Sequence, residues 1–236
     1  MDRRGVLRQL VGATGLLCAG GAVGKAPKTW AAPEEGEALM IEAKEGDDGE
    51  VVKVVRMAAR KAHEENRGQV GVVRQALGDG FVAPGFWEGE RRLWLHRVAI
   101  GHKESVVYAR DNELVSEGYY RACQILGDVK GRQTVAMDVR LLDVLAAIQM
   151  HYAAYGWNLP LNVLSGYRSL KTNAGLEGAA KNSMHLYGRA ADIYMSGVDL
   201  GHLKAVSRQL QAGGVGFYPG KGFVHVDTGA VRLWAG

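Results

Sequence analysis

Apolar residues recur along the second half of the chain with the spacings of both strands and helices. Residues 92–108 alternate between apolar and polar positions on either side of Gly101, which predicts a hairpin. A helix is predicted over 138–155, with Asp138 as its capping residue. Its apolar positions recur three or four residues apart and form one face: Leu141, Leu145, Ile148 and Tyr152.

Shorter apolar runs follow this helix. Residues 161–164 and 189–195 are mostly apolar, which is typical of buried strands. A second amphipathic helix is predicted over 199–211, with Leu203, Val206 and Leu210 on its inner face. Two further strands, 215–218 and 223–227, are joined by a turn of proline, glycine and lysine. The chain therefore combines helices and strands in one domain.

The first 31 residues have the features of an export signal. Two adjacent arginines precede an apolar, glycine-rich run over 10–24, an order that resembles a twin-arginine signal. The run is short for a membrane span, and Thr29 and Ala31 provide small side chains at the offsets that cleavage before Ala32 requires. We therefore expect export to the periplasm and no stable membrane span after cleavage; the alternative is a retained N-terminal anchor.

Most of the net charge of the chain lies in the predicted export signal. The whole chain has a formal net charge of +4. Residues 1–31 contain five basic residues and one acidic residue, so the mature chain is close to neutral. This balance argues against nucleic acid as a partner. Residues 32–89 begin with an acidic stretch that predicts a solvated linker, followed by a predicted helix near 51–66 whose role the sequence does not indicate.

Candidate chemistry lies near the C-terminal end. Residues 183–192 read S-x-H-x-x-G-x-A-x-D and provide His185 and Asp192, and His225 follows in the last predicted strand. Two imidazoles and one carboxylate are a common ligand set for catalytic zinc. Gly188 permits a sharp turn between the first two ligands. The alternation of a strand predicts that His225 and Asp227 point to the same face.

Four elements in this order resemble one family of zinc peptidases. In chain order they are S-G-Y-R-S at 165–169, the motif at 183–192 that H-x-D at 225–227 completes, the glycine-rich segment 212–219 and the tail 227–234. Together they resemble the murein endopeptidase K branch of the zinc peptidases with the hedgehog/D,D-peptidase fold, a superfamily that includes D-Ala-D-Ala carboxypeptidases. The resemblance covers about residues 90–236 and identifies that range as the zinc peptidase domain.

The resemblance implies a fold, a cofactor and a substrate. The expected fold is α+β, with helices packed on one side of a small, mainly antiparallel sheet and a zinc cleft over the other side. Zn²⁺ would be held by His185, Asp192 and His225. The expected activity is zinc-dependent hydrolysis of peptide crosslinks in bacterial peptidoglycan. Two alternatives stay open: a non-catalytic, zinc-containing peptidoglycan-binding module, and a D,D-carboxypeptidase or dipeptidase acting on the stem peptides.

Further site residues are also carried over from the resemblance. Arg168 is expected to hold the oxygen of the scissile carbonyl, where charge develops in the tetrahedral state, although it could instead form a structural ion pair. Ser183 is expected to hydrogen-bond the substrate, although it could instead be a turn or helix-cap hydroxyl.

The position of the general base departs from the family pattern. Many relatives have Glu three residues before the last ligand or His two before it, whereas this chain has Gly222 and Phe223. Asp227 is therefore predicted to be the catalytic base. Two other roles for it stay open: orientation of a ligand imidazole, and a purely structural bond to Thr228 or Arg232.

Overall fold

One sheet of eight strands organises the residues described by the computed structural model, which are 85–111 and 113–236. The strands are β1 Arg91–Arg97, β2 His102–Arg110, β3 Glu113–Leu114, β4 Leu161–Ser165, β5 Ala190–Tyr194, β6 Gly214–Tyr218, β7 Phe223–Asp227 and β8 Arg232–Ala235. The α-helices of this part are α1 Ser116–Ile125, α2 Val139–Ala153, α3 Leu170–Ala174 and α4 Leu200–Gln209. The strand order in space is β3-β2-β1-β4-β5-β7-β6-β8.

The N-terminal predictions fall mostly outside this part of the chain. The export signal at 1–31, and residues 32–84 with the predicted helix near 51–66, lie outside the described residues. Phe86 and Trp87 are described, and both are buried in the core with their ring centroids 4.8 Å apart. The core thus includes side chains before residue 90, and the domain boundary at 90 stays a prediction. Over 85–111 and 113–236, no helix has the length and apolar character that a membrane crossing requires.

The fold class is α+β, as predicted, but the sheet is mixed rather than mainly antiparallel. Within the described residues, β1 runs parallel to β4 and β6 runs parallel to β8, whereas the other five pairings are antiparallel. The connection from β1 to β4 includes two helices and is long enough for a parallel crossover. Alternation along a strand shows which side chains share a face, but it carries no information about strand direction.

The two faces of the sheet have different roles. One face carries buried apolar side chains that pack with the helices into one core: Leu93, Leu95, Leu161, Val163, Ala191, Ile193, Val224 and Val226. The opposite face of β5 and β7 carries Asp192, His225 and Asp227. The hydrophobic core therefore supports the candidate site from behind, as expected from strands whose side chains alternate between faces.

Both amphipathic helices predicted from the sequence are confirmed. The Asp138 side chain accepts a hydrogen bond from the Arg140 backbone N–H and caps α2, and all four predicted inner residues of that helix are buried. Asp199 caps α4 in the same manner through the backbone N–H of His202. Capping carboxylates satisfy otherwise unpaired N–H groups of the first turn, which is why helix starts could be located from the sequence.

Helix α1 was not predicted from the sequence. It packs against β2 so closely that a Cβ atom on Gly118 would lie 1.8 Å from the carbonyl oxygen of Val107. Glycine is a poor helix former in isolation. Here it permits the close approach of helix and strand, so a tertiary requirement overrides the local preference.

His202 on α4 is half-buried beside the end of α2. Its Nδ1 lies 2.9 Å from the hydroxyl of Tyr152, and the ring of His151 lies nearby with centroids 6.2 Å apart. Burial lowers the pKa of His202 below its ordinary value, and burial followed by the neighbouring His202 lowers the pKa of His151. The folded protein therefore binds protons at these two rings less readily than the unfolded chain does.

This pair should make the protein less stable as the pH falls. Because the folded pKa values lie below the ordinary value of 6.5, the stabilising contribution is fully present above that pH and is lost as the pH falls below it through the folded pKa values. The substitution His202→Gln should therefore reduce the difference in melting temperature between neutral pH and mildly acidic pH. Melting curves of both proteins would check this, and an unchanged pH dependence would contradict it.

Candidate metal centre

Three separate elements bring His185, Asp192 and His225 together. His185 lies in a single 3-10 turn, Met184–Tyr187, which is capped by the Ser183 hydroxyl and ends at Gly188 with a positive φ of 65°. That conformation suits glycine and gives the sharp turn predicted between the first two candidate ligands. Asp192 on β5 lies directly opposite His225 on β7 in an antiparallel pair.

The separations of the three side chains match a ligand set. His185 Nε2 lies 3.2 Å from Asp192 Oδ1 and 3.2 Å from His225 Nδ1. His225 Nδ1 lies 2.8 Å from Asp192 Oδ1. Ligand atoms at the usual distances around a tetrahedral zinc ion are about 3.3 Å from one another. In the described part of the chain, this is the one group of three metal-ligating side chains close enough to share an ion, and all three are buried.

The hydrogen-bond partners behind the two imidazoles leave their facing nitrogens free to act as acceptors when both rings are neutral. His185 donates from Nδ1 to the carbonyl oxygen of Gly166 at 2.5 Å. His225 donates from Nε2 to Oδ2 of Asp227 at 3.0 Å. With those protons placed, His185 Nε2, His225 Nδ1 and Asp192 Oδ1 all meet as acceptors. A cation satisfies three convergent acceptors, so the donor set fits a divalent metal such as zinc.

The pKa shifts of His185 and Asp192 favour the forms that bind a metal ion, whereas the shift of His225 favours its protonated form. Burial lowers the pKa of His185, which favours the neutral imidazole that metal binding requires. Burial would raise the pKa of Asp192, but its interactions with His185 and His225 outweigh burial and hold the pKa below its ordinary range. Burial would lower the pKa of His225, but the hydrogen bonds to Asp192 and Asp227 raise it. A proton at His225 thus competes with a metal ion.

Arg168 is held beside the second oxygen of Asp192. Its Nη2 donates to Asp192 Oδ2, and its Nε donates to the hydroxyl of Ser165 at 2.7 Å. The side chain is 14% exposed at the edge of the site. Arg168 thus forms an ion pair, the alternative considered for it, and the partner is a candidate ligand. By occupying Oδ2, it leaves Oδ1 to face the two imidazoles.

The glycine of the S-G-Y-R-S motif has a steric reason. A Cβ atom on Gly166 would lie 2.1 Å from the carbonyl oxygen of Leu126. The backbone of Tyr167 donates to that same oxygen at 2.7 Å. This close approach aims the Gly166 carbonyl at His185 Nδ1. The motif therefore supplies both Arg168 and the acceptor that fixes the tautomer of His185.

Ser183 has a capping role in this structure. Its Oγ accepts a hydrogen bond from the backbone N–H of His185 at 3.4 Å, which is the turn-cap alternative considered for it. The residue is half-buried. Its predicted contact with substrate stays a prediction.

Asp227 lies behind His225, on the side of the imidazole away from the ligand atom. Besides His225, its carboxylate accepts hydrogen bonds from the backbone N–H groups of Gly214 and Gly229 and from two nitrogens of Arg232. Burial would raise its pKa, but the bonds from His225 and Arg232 lower it well below the ordinary range. A general base works best with a pKa near the working pH. These contacts favour an orienting role, and the base role stays a prediction.

Two side chains of the C-terminal tail lie near the site, and one of them, Arg232, is the structural partner considered for Asp227. Arg232 contacts Asp227, and the ring of Trp234 lies 5.3 Å from that of His225. Both belong to β8, a strand that the alternation pattern did not reveal because it is short and largely exposed. Their positions in the tail motif were the available signal.

Comparison with known proteins adds independent information. A model of the family described as peptidoglycan L,D-endopeptidase MepK matches residues 87–234. The chain is similar to peptidoglycan L,D-endopeptidase MepK of Escherichia coli strain K12, with 31% identity over 148 residues, which cover 61% of this chain and 80% of that protein. It is also similar to the probable peptidoglycan L,D-endopeptidase MepK of Haemophilus influenzae, with 40% identity over 116 residues, 48% of this chain and 61% of that protein.

Proposed function

We propose, from the premise that the chain belongs to the peptidoglycan L,D-endopeptidase MepK family, that it hydrolyses peptide crosslinks of bacterial peptidoglycan with the help of a zinc ion. The observation that carries the proposal is the convergence of three acceptor atoms, His185 Nε2, Asp192 Oδ1 and His225 Nδ1, within 3.2 Å of one another. A zinc ion bound there would polarise the scissile carbonyl and activate water.

We extend the proposal to the fold and to location. The packing of α1, α2 and α4 into the core on one face of the sheet, with the candidate ligands on the other face, supports a hedgehog/D,D-peptidase-like fold. Export to the periplasm through residues 1–31 is proposed from the arginine pair and the apolar run. Both statements agree with a substrate that lies in the cell envelope.

The side chains around the ion have separate tasks in this proposal. Asp192 and the two imidazoles hold the metal. Arg168 orients Asp192, and its guanidinium also provides the positive charge that stabilises the carbonyl oxygen of the substrate as charge develops there. Ser183 shapes the turn that carries His185 and contacts the substrate at the mouth of the site.

Asp227 is assigned an orienting role, which a single substitution separates from the base role. The substitution Asp227→Asn should weaken zinc affinity by about 10-fold or more, because outer-shell partners of ligand histidines contribute on that scale. A base role predicts instead full zinc affinity and a loss of turnover of about 100-fold or more. Two measurements on the same preparation decide between the outcomes: a zinc titration gives the affinity, and muropeptide turnover is then measured at saturating zinc.

One observation favours the second candidate, a non-catalytic peptidoglycan-binding module. Gly222 and Phe223 occupy the positions at which the family pattern has its base, and the ring of Phe223 is stacked on Tyr218 with centroids 4.7 Å apart. Phe223 cannot accept a proton. In that candidate the protein keeps the zinc and the substrate affinity but releases no products.

Product analysis tests the proposal and distinguishes the bonds. Purified protein with zinc should convert muropeptide dimers joined by an L,D-crosslink into monomers, and dimers joined by a D,D-crosslink should persist. Mass spectrometry of the products identifies the bond that is cut. Cleavage of the D,D-dimer alone would contradict the L,D assignment, and binding of both dimers without cleavage of either would support the binding module.

A further inference from the structure

The C-terminal strand contributes large side chains to the row of the sheet that holds the last candidate ligand. β8 pairs in parallel with β6, with Arg232 opposite Gly214 and Trp234 opposite Gly216. On its other edge, β6 pairs with β7, and there Gly216 lies opposite His225. Residues that are paired across a sheet share a face. Arg232 and Trp234 therefore lie on the same face as His225, although they are close to the end of the chain.

Arg232 closes a continuous chain of hydrogen bonds to the candidate ligand. Its Nη2 donates to Oδ2 of Asp227 at 2.7 Å, and its Nη1 donates to Oδ1 of Asp227 at 3.1 Å. Asp227 Oδ2 also accepts from His225 Nε2 at 3.0 Å. A two-pronged guanidinium–carboxylate pair fixes the plane of the carboxylate. The orientation of the His225 ring is thereby tied to Arg232.

Trp234 restrains the same imidazole from another side. Its ring lies 5.3 Å from the ring of His225 with a tilt of 54°. The indole N–H donates to the hydroxyl of Tyr218 at 2.8 Å, and Cζ of Arg232 lies 4.7 Å from the centroid of the indole ring. These contacts hold the indole in place, so that it limits rotation of the His225 ring.

The glycines of β6 make room for both side chains. A Cβ atom on Gly216 would lie 2.6 Å from Cζ2 of Trp234. A Cβ atom on Gly214 would lie 2.5 Å from Nη1 of Arg232 and 2.6 Å from Oδ2 of Asp227. The glycine-rich segment is thus complementary to the tail of the chain. Neither side chain could reach its position if β6 carried ordinary residues there.

We propose that Arg232 and Trp234 form a C-terminal clamp that fixes the imidazole of His225 and thereby sets the affinity and geometry of the metal centre. The inference rests on the proposed function, because it presumes that His225 binds a metal ion. Arg232 is a positioning residue, since it acts through Asp227 and contacts none of the three candidate ligands directly. Outer-shell partners that orient a ligand histidine change metal affinity by about 10- to 100-fold.

Zinc affinity of single variants of the full-length chain tests the clamp. Competition with a chromogenic chelator should give zinc dissociation constants about 10-fold or more higher for Arg232→Ala and Trp234→Ala than for the wild type. Arg232→Lys should recover part of the loss, because an ammonium group keeps the charge but cannot form the two-pronged pair. The matched control is Arg110→Ala, which removes another half-exposed arginine, paired with Glu90. Its zinc affinity should equal that of the wild type.

Cobalt substitution and metal-free melting separate positioning from a general loss of structure. The absorption spectrum of the Co²⁺-loaded Arg232→Ala protein should differ from that of the Co²⁺-loaded wild type, because the ligand geometry changes. The melting temperature of the metal-free variant should stay close to that of the metal-free wild type. If alanine prevents folding, Arg232→Lys and Trp234→Phe provide the same comparison. Zinc affinities within twofold of wild type and unchanged cobalt spectra would overturn the clamp alone. Absence of zinc binding by the wild type would overturn the clamp and the proposed function together.

Discussion

Alanine in place of His225 should reduce zinc affinity by more than about 100-fold, beyond the range of outer-shell changes, and should abolish peptidoglycan hydrolysis. The reason is that His225 Nδ1 is one of three acceptors that meet within 3.2 Å, and no fourth ligating side chain of the described residues joins that group. His185→Ala and Asp192→Ala should have effects of the same size. Zinc content by elemental analysis and muropeptide turnover measure both losses.

A matched histidine provides the control for this prediction. His102 is exposed and pairs with Glu104 at 2.8 Å on β2, so His102→Ala should leave zinc content and turnover unchanged. Full zinc occupancy in all three ligand variants would mean that the ion is bound elsewhere or not specifically. Loss of zinc in His102→Ala as well would indicate that histidine substitutions disturb the protein in general.

Removal of Asp143 should destabilise the folded protein by about 3–5 kcal/mol at neutral pH, since it would leave a buried guanidinium without its partner. Asp143 accepts from Arg91 at 2.8 Å and from the hydroxyl of Tyr108 at 2.7 Å, and all three side chains are buried. Burial raises the pKa of Asp143 to about 6 although Arg91 opposes the shift, so the carboxylate is ionised at neutral pH. Urea unfolding of Asp143→Ala measures the loss.

Two comparison variants sharpen the Asp143 test. Glu104→Ala removes a partner of the more exposed Arg121 and should cost about 1 kcal/mol or less. The double replacement Arg91→Met with Asp143→Leu should be much less destabilising than Asp143→Ala, because it leaves no uncompensated charge. A loss in Asp143→Ala no larger than in Glu104→Ala would show that Arg91 finds other compensation.

Local signals in the sequence predicted much of the fold. Asp138 and Asp199 start α2 and α4 because a carboxylate at that position caps the first turn, and the signal needs only neighbouring residues. The alternation along β7 predicted that His225 and Asp227 share a face, and their side chains are 3.0 Å apart. Gly188 was predicted to turn the chain and has a positive φ.

Features that depend on distant parts of the chain could not be predicted in the same way. The parallel pairings of β1 with β4 and of β6 with β8 depend on how connections cross the sheet. Helix α1 contains Gly118, whose value lies in a close contact with β2. The sequence left Asp227 with three possible roles, because the choice depends on where Arg232 lies in space.

In the candidate site, too, some features were predicted from local sequence signals and others depend on distant parts of the chain. The three candidate ligands were predicted from short motifs, because each ligand lies at a fixed distance in the sequence from other residues of its motif. Two outer contacts could not be predicted in this way, because they depend on the pairing of β4 with β5. They are the contact of Arg168 with the second oxygen of Asp192 and that of His185 with the carbonyl of Gly166. These outer contacts determine which atoms face the ion, so they are part of the chemistry and not only of the scaffold.

Release of muropeptides from purified sacculi, with the metal removed and then restored, tests whether this chain is a zinc-dependent peptidoglycan peptidase. We expect purified protein to release soluble products, chelation to stop the release, and stoichiometric zinc to restore it, while His185→Ala stays inactive after the same addition. Release that continues undiminished after complete chelation, or that His185→Ala sustains at the wild-type rate, would contradict the account.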